Sequence, residues 1–237
     1  MVVSLLTAAG TASRMKQEIP KQFIHVHDKP IILYTMERFQ ANPQVDAIAV
    51  ATLPNWKEFI WMYAKQFNIT KLKWVCDGGK TSQETIKKGV YEIAKEVEKA
   101  NTLVMIHDGN RPLVDGDVIS DSLAVCLKYG SSVAAIPCVE VPFVSIDGKT
   151  SNETIPRDFL YRSQTPHTYS LEKLLWAHEE AKIRKISNTP ATCALMNALG
   201  EKIYFSRGSE KNIKITTTED LEIFNALLSE EKMKWLK

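Results

Sequence analysis

The sequence predicts an α/β protein: a doubly wound, mostly parallel twisted sheet with helices on both faces and a protruding β-hairpin arm. Three observations predict it. Apolar, β-branched runs are continuous rather than alternating, as strands buried on both faces require. Helix-periodic segments fall between them, and strand alternating with helix argues parallel layers. Past the middle of the chain the alternation yields to a turn-rich polar stretch, which reads as a hairpin.

In order, "VVSLL" (2–6) is the first strand, and Pro30 stands just before the helical pattern "IILYTMERFQAN". "AIAVAT" (47–52) is a strand, and "NWKEFIWMYAKQF" after Pro54 a helix whose aromatics read as packing or subunit contacts. "KWVC" (73–76) precedes "TSQETIKKGVYEIAKEVEKA" (81–100), where Thr81 or Ser82 near the N-cap and Glu84 shortly after form a capping box. "TLVMIHD" (102–108) and "SSVAAIPC" (131–138) continue the sheet. Residues 139–168 hold "VPFVSIDGKTSNETIPRDF", two extended arms around the turn "DGKTSN". A helix resumes at "SLEKLLWAHEEAKI" with Ser170 as N-cap, followed by "TCALMNALG" ending at Gly200, strands "KIYFSRG" and "NIKIT", and the closing helix "TTEDLEIFNALLSEE". Without repeats or linkers, residues 1–237 read as one domain, with 139–165 as an extended arm.

Composition narrows the function classes. Of 237 residues, 44% are apolar and 24% charged, which suits a globular chain, and a net charge of +2 gives no reason to expect a nucleic-acid or membrane partner. Cys76, Cys126, Cys138 and Cys193 are far apart and form no CxxC, so they read as reduced thiols. "MVVSLL" is too short for a signal peptide's apolar region and lacks its basic flank. A cytoplasmic location is the expectation.

Four segments offer chemistry. In "LLTAAGTASRMKQEIPK" (5–21) the first strand runs into Ala8, Ala9, Gly10, Thr11, Ala12 and Ser13, small residues whose N–H groups an anion can approach. Arg14 and Lys21 add positive charge; the alternative is an ordinary βα loop with surface cations. The segment is neither a GxGxxG nor a Walker A loop. In "IHDGNRP" (106–112), Asp108 ends a buried strand and is placed to hold Mg²⁺ against a triphosphate, or else caps the next turn, while Arg111 pairs with phosphate or braces the loop. In "EKNIKITTTEDL" (210–221), Lys214 between two isoleucines wants an anionic partner, unless it is a solvated edge residue. In "PRDFLYRSQTPHTY" (156–169), Arg157, Arg162 and the Thr165 hydroxyl can bind a second phosphate, or form a plain polar connection. The histidines lack zinc spacing, and no nucleophile elbow occurs.

Taken together, "AAGTASRM" with "PKQF", "DGGKTSQETIKKG", "HDGNRP", "SQTPHTY" and "NIKITTTEDL" resemble the cytidylyltransferases that make CDP-linked polyols. That family includes the methylerythritol-phosphate enzyme of isoprenoid synthesis and the ribitol-5-phosphate enzyme of wall and capsule polymers. The resemblance spans nearly the whole chain. It implies a Rossmann-like nucleotidyltransferase joining CTP and a polyol phosphate into a CDP-polyol and pyrophosphate, with Mg²⁺ held by Asp108. It implies Arg14, Lys21 and Lys214 as the catalytic charges and a first loop, residues 8–13, around the triphosphate. Gly79 and Thr85 match positions near the cytosine, with Asp108 and Gly109 also on the nucleotide. Arg157, Thr165 and Glu140 fall on acceptor-binding positions, reached in the family from the arm of a neighbouring subunit in a homodimer.

Departures from the family's pattern fall in two places. Ala12 replaces a second glycine, Ser13 a basic residue, and Ser82 an arginine on the nucleotide side. Glu140 and Val141 replace an Asp-Thr pair, and "NTPATC" lacks an acid, both on the acceptor side. The CTP half therefore carries over, while the acceptor's identity rests on "YRSQTPHTY" and "NIKITTTEDL", which look closer to the ribitol-phosphate branch. Competing expectations are the methylerythritol-phosphate activity, transfer from another nucleotide or to a sugar 1-phosphate, and an impaired paralogue that binds nucleotide or a protein partner.

Overall fold

The computed structural model describes residues 1–10 and 19–235. Chain order is β1 (Val2–Ala8), a small hairpin of β2 (His25–Val26) and β3 (Lys29–Pro30), α1 (Ile31–Ala41), β4 (Ala47–Thr52), α2 (Lys57–Gln66) and β5 (Leu72–Asp77). Then come α3 (Ser82–Ile93), β6 (Leu103–Asp108), α4 (Gly116–Tyr129), β7 (Ser131–Pro137), β8 (Phe143–Val144), β9 (Glu153–Thr154) and β10 (Tyr161–Ser170). The chain closes with α5 (Leu171–Ile183), α6 (Thr192–Ala198), β11 (Phe205–Arg207) and α7 (Thr218–Trp235).

Seven strands form the central sheet in the order β11-β7-β10-β6-β1-β4-β5. β1 pairs in parallel with both β4 and β6, and β4 with β5, whereas β10 runs antiparallel between β6 and β7. Chain order reverses direction at β1, so a crevice opens at the carboxyl ends of β1, β4, β5 and β6. This is the mostly parallel α/β sheet expected.

Both faces of the sheet are covered. Val3 and Leu5 of β1 and Ala47, Ala49 and Ala51 of β4 pack with α3, α5 and α6, while Leu6, Ile48 and Val50 face α1, α2 and α4. A period of two thus assigns each strand residue to one layer. The small alanines let α3 lie close, and at Gly89 a Cβ would stand 2.5 Å from Leu5, so only glycine fits the crossing. A third cluster seats Phe224 and Leu228 of α7 against Ile31 and Ile215.

Three expectations change. Residues 161–170, read as a polar connection, form the interior strand β10; Pro166 hid it, since proline removes a ladder donor. The register shift between Ser163 and His167 accommodates that proline. "NIKIT" is no strand: its Ile215 exchanges hydrogen bonds with Asn110, whose carbonyl accepts from Ile215 N at 2.9 Å and whose side-chain amide donates to the Ile215 carbonyl. The helix expected over 81–100 stops at Ile93. The hairpin arm is present, with β8 antiparallel to β9 and the Asp147 carboxylate accepting from Lys149 N and Thr150 N at 2.9 and 2.8 Å.

Candidate active site

A cavity of about 640 Å³ occupies the crevice. Its floor is Thr7, Ala9 and Gly10 after β1; its sides are Leu53 and Pro54 after β4, the loop 78–82, and Glu84, Thr85 and Lys88 of α3. Lys21, Asp108, Asn110 and Lys214 complete it. Four lysines against two carboxylates make this a site for a polyanion.

Local chemistry builds the walls. Thr81 caps α3, accepting from Glu84 N at 3.1 Å, and the Glu84 carboxylate accepts from Lys80 N at 2.8 Å, a capping box displaced by one residue. Thr85 accepts from Gly79 N at 2.9 Å and donates to the Thr81 carbonyl at 2.9 Å, which fixes the glycine turn above the helix. A Cβ on Gly78 would lie 2.1 Å from the Ala9 Cβ, so the turn can meet the β1 loop only as glycine. Behind Gly10, the Gln22 amide donates to the carbonyls of Ala8 and Gly10, setting the exit of β1.

Asp108 is the electrostatic node. Its Oδ1 accepts from Lys214 Nζ at 2.9 Å and its Oδ2 from Arg111 Nε at 3.0 Å. Burial alone would raise this carboxyl, but the Lys214 and Arg111 charges outweigh it and hold the group well below the usual carboxylate range. Arg111 braces the loop, its second contact being the Asn212 carbonyl at 2.6 Å. Lys214 has the anionic partner its sequence setting demanded.

A second chamber, about 290 Å³, lies behind the first. Thr7, Ser82, Asp108 and Lys214 line both, so the Asp108–Lys214 pair stands where the two meet. The remaining lining comes from β10 (Ser163, Gln164, Thr165, His167), from Ile86 and Ile106, from Arg111, and from residues 190–194 at the start of α6.

His107 decides what Thr165 offers to this chamber. The ring Nε2 lies 3.2 Å from the Arg111 carbonyl, which only accepts, so Nε2 carries the proton of the neutral ring. Burial pushes that ring down to about 4. Nδ1 then accepts the Thr165 hydroxyl proton at 3.0 Å, while Thr165 Oγ1 accepts from Asp108 N at 3.1 Å. With its proton committed, Thr165 keeps only acceptor capacity for a further partner. In this arrangement the Thr165 proton goes to His107.

The other expected residues divide clearly. Ala9, Gly10, Lys21, Gly79, Thr85, Asp108 and Lys214 meet around the first cavity. Ala8 and Gly109 sit beneath it, the Ala8 carbonyl accepting from Thr52 Oγ1 at 3.2 Å and Gly109 N donating to the Thr7 carbonyl at 2.9 Å. Thr11, Ala12, Ser13 and Arg14 lie outside the described residues. Glu140 and Arg157 are exposed on the arm, and neither lines either cavity; Arg157 donates to the Val139 carbonyl at 2.7 Å. Arg162 pairs with Glu210. Lysines 80 and 88 escaped the sequence reading, although Thr81, Thr85 and Lys88 share one helix face at spacings of four and three.

Comparison with known proteins identifies the family. A family model described as 2-C-methyl-D-erythritol 4-phosphate cytidylyltransferase matches residues 2–230. The chain belongs to this cytidylyltransferase family. Among curated members, a ribitol-5-phosphate cytidylyltransferase of Lacticaseibacillus paracasei is 40% identical over 235 residues, covering 98% of this chain and 100% of that one. A 2-C-methyl-D-erythritol 4-phosphate cytidylyltransferase of Clostridium acetobutylicum is 33% identical, covering 99% and 100%. A crystal structure of 4-diphosphocytidyl-2C-methyl-D-erythritol synthase superimposes with a TM-score of 0.79 at 21% identity, over 96% of this chain and 97% of that one, sharing the cytidylyltransferase fold. No helix among the described residues is long and apolar enough to cross a membrane.

Proposed function

We infer that this chain is a CTP-dependent cytidylyltransferase whose acceptor is a phosphorylated polyol, foremost ribitol 5-phosphate, giving a CDP-polyol and pyrophosphate. One observation carries the reading: a lysine-rich cavity sized for a nucleotide and a hydroxyl-rich chamber meet at a single Asp–Lys pair. The strong relation to ribitol-5-phosphate enzymes favours ribitol 5-phosphate over methylerythritol 4-phosphate.

In this mechanism an oxygen of the acceptor's phosphate attacks the α-phosphorus of CTP, a new P–O bond forms, and the bond to the β-phosphate bridging oxygen breaks. The attacking phosphate is already an anion, so no general base is required. Catalysis reduces to alignment and to stabilising charge that builds on the α-phosphate. Lys21, beside Gly10, and Arg14 meet the triphosphate; Lys214 leaves Asp108 to bridge the α-phosphate and the incoming phosphate. Gly79 and the turn held by Thr85 take the base.

The residues fit one divalent cation, Mg²⁺ in this proposal. Asp108 would offer Oδ1 once Lys214 turns to phosphate, while Oδ2 stays with Arg111. Among the described residues no cluster of three metal-ligating side chains exists. That matches an ion which takes one or two carboxylates and completes its shell with phosphate and water. When bound, it supplies charge neutralisation across the phosphates.

The acceptor side is completed by a second copy, its 139–165 arm bringing Arg157 and Glu140 to the chamber. Support comes from the arm's exposed apolar residues Val139, Val141, Phe143 and Phe159, which leave a surface large enough to seek cover. CTP, UTP, GTP and ATP compared by pyrophosphate release, each with ribitol 5-phosphate, test the nucleotide assignment. Preference for CTP is expected; equal or better use of another nucleotide removes it.

A further inference from the structure

The chamber wall at residues 190–194 joins the end of the loop after α5 to the first turn of α6, and the loop is held largely from outside itself. Lys185 and Asn188 adopt φ of 57° and 61°, a left-handed region costly for residues with a Cβ. The N-cap of α6 is Ala191, with no side-chain cap. Ile186 and Cys193 pack against the core, and the loop's side-chain hydrogen bonds come from another element. Gln83 Oε1 accepts from Thr189 N at 2.9 Å and from Thr189 Oγ1 at 3.1 Å, and its Nε2 donates to the Ile186 carbonyl at 3.0 Å.

Gln83 stands in the first turn of α3, next to Ser82, which lines both cavities, and Glu84, which lines the first. That turn is itself fixed by the Thr81 cap and the Glu84 contact to Lys80 N. One helical turn therefore carries the nucleotide loop on one side and the acceptor loop on the other. We propose that Gln83 is a positioning residue that sets the acceptor-binding loop 186–194 at a fixed place relative to the nucleotide loop, so that acceptor recognition depends on its side-chain amide. Which substrate each cavity takes rests on the cytidylyltransferase reading; the tie between the loops does not.

Three hydrogen bonds to this loop give the amide a measurable effect. Gln83→Ala is compared with wild type and Gln83→Glu, which keeps oxygens for Thr189 but loses the donor to Ile186. Hydrogen exchange of amides in 184–194 should quicken about tenfold or more in Gln83→Ala, with β1 and β6 unchanged. The KM for ribitol 5-phosphate should rise about tenfold, the loss of roughly one or two net hydrogen bonds. CTP affinity, measured by calorimetry without acceptor, should stay within about twofold, and Gln83→Glu should fall between the two. Unchanged exchange in 184–194, or an acceptor KM and a CTP affinity that shift by the same factor, overturns the proposal. If wild type itself fails to turn over ribitol 5-phosphate, the acceptor assignment falls alone, and the exchange result still decides the role of Gln83.

Discussion

At the residue scale, the account turns on charge placed against phosphate. Lys21→Ala and Lys214→Ala should each lower kcat by about two to three orders of magnitude, the size seen when one stabilising group aimed at a transition state is removed. Circular dichroism should stay near wild type in both variants, while Lys214→Ala should also lower the unfolding midpoint, because it removes a cation paired with the largely buried Asp108. Near-wild-type turnover in either variant removes that lysine from the mechanism. Thr165 separates recognition from chemistry: Thr165→Ser should preserve the acceptor KM, whereas Thr165→Val, without the hydroxyl, should raise it about tenfold. An unchanged KM in Thr165→Val contradicts the polarity that His107 imposes.

At the element scale, the first turn of α3 shapes both cavities. Thr81→Ala removes its cap and should cost about 1 kcal/mol, read as a shift in the urea midpoint. Gly78→Ala should cost more in CTP affinity than in stability, because the new methyl meets Ala9 at the cavity floor. The same scale shows what the sequence could disclose. β1, β4 and β6 were legible because buried parallel strands are written as unbroken apolar runs, and α5 because Ser170 caps it, accepting from Lys173 N at 3.2 Å. β10 was hidden because several of its polar residues bond partners distant in sequence. Thr168 bonds Ser122 at 2.7 Å, and Gln164 donates to the Ser209 carbonyl at 2.8 Å. No local pattern announces such pairs. The first cavity was largely readable, since most of its residues follow strand ends; the chamber was not, because it needs β10 and residues 190–194 brought together by folding.

At the scale of the molecule, buried histidines make stability fall in acid. Burial holds His107, His167 and His178 at about 4, below the ordinary 6.5. The unfolded chain therefore takes protons first as the pH drops, so stability is full above 6.5 and declines from there towards 4. Each ring contributes up to about 1.4 kcal/mol per pH unit across that window. Urea unfolding at a series of pH values should show this slope, and a flat profile between those limits contradicts the buried neutral rings. The exposed apolar arm sets a second property of the whole. Light scattering at micromolar concentration should return a dimer, and replacing Phe143 and Phe159 by serine should shift it to monomer. A wild-type monomer counts against an acceptor site completed by a neighbouring arm.

The central claim is that two adjoining cavities hold CTP and a polyol phosphate for direct transfer between them. Its most direct test incubates the protein and Mg²⁺ with CTP and, separately, ribitol 5-phosphate, methylerythritol 4-phosphate and a panel of sugar phosphates, with products identified by mass spectrometry. The account predicts CDP-ribitol with stoichiometric pyrophosphate as the dominant product. CDP-methylerythritol in its place overturns the acceptor assignment, and no CDP-linked product from any acceptor contradicts the transfer itself.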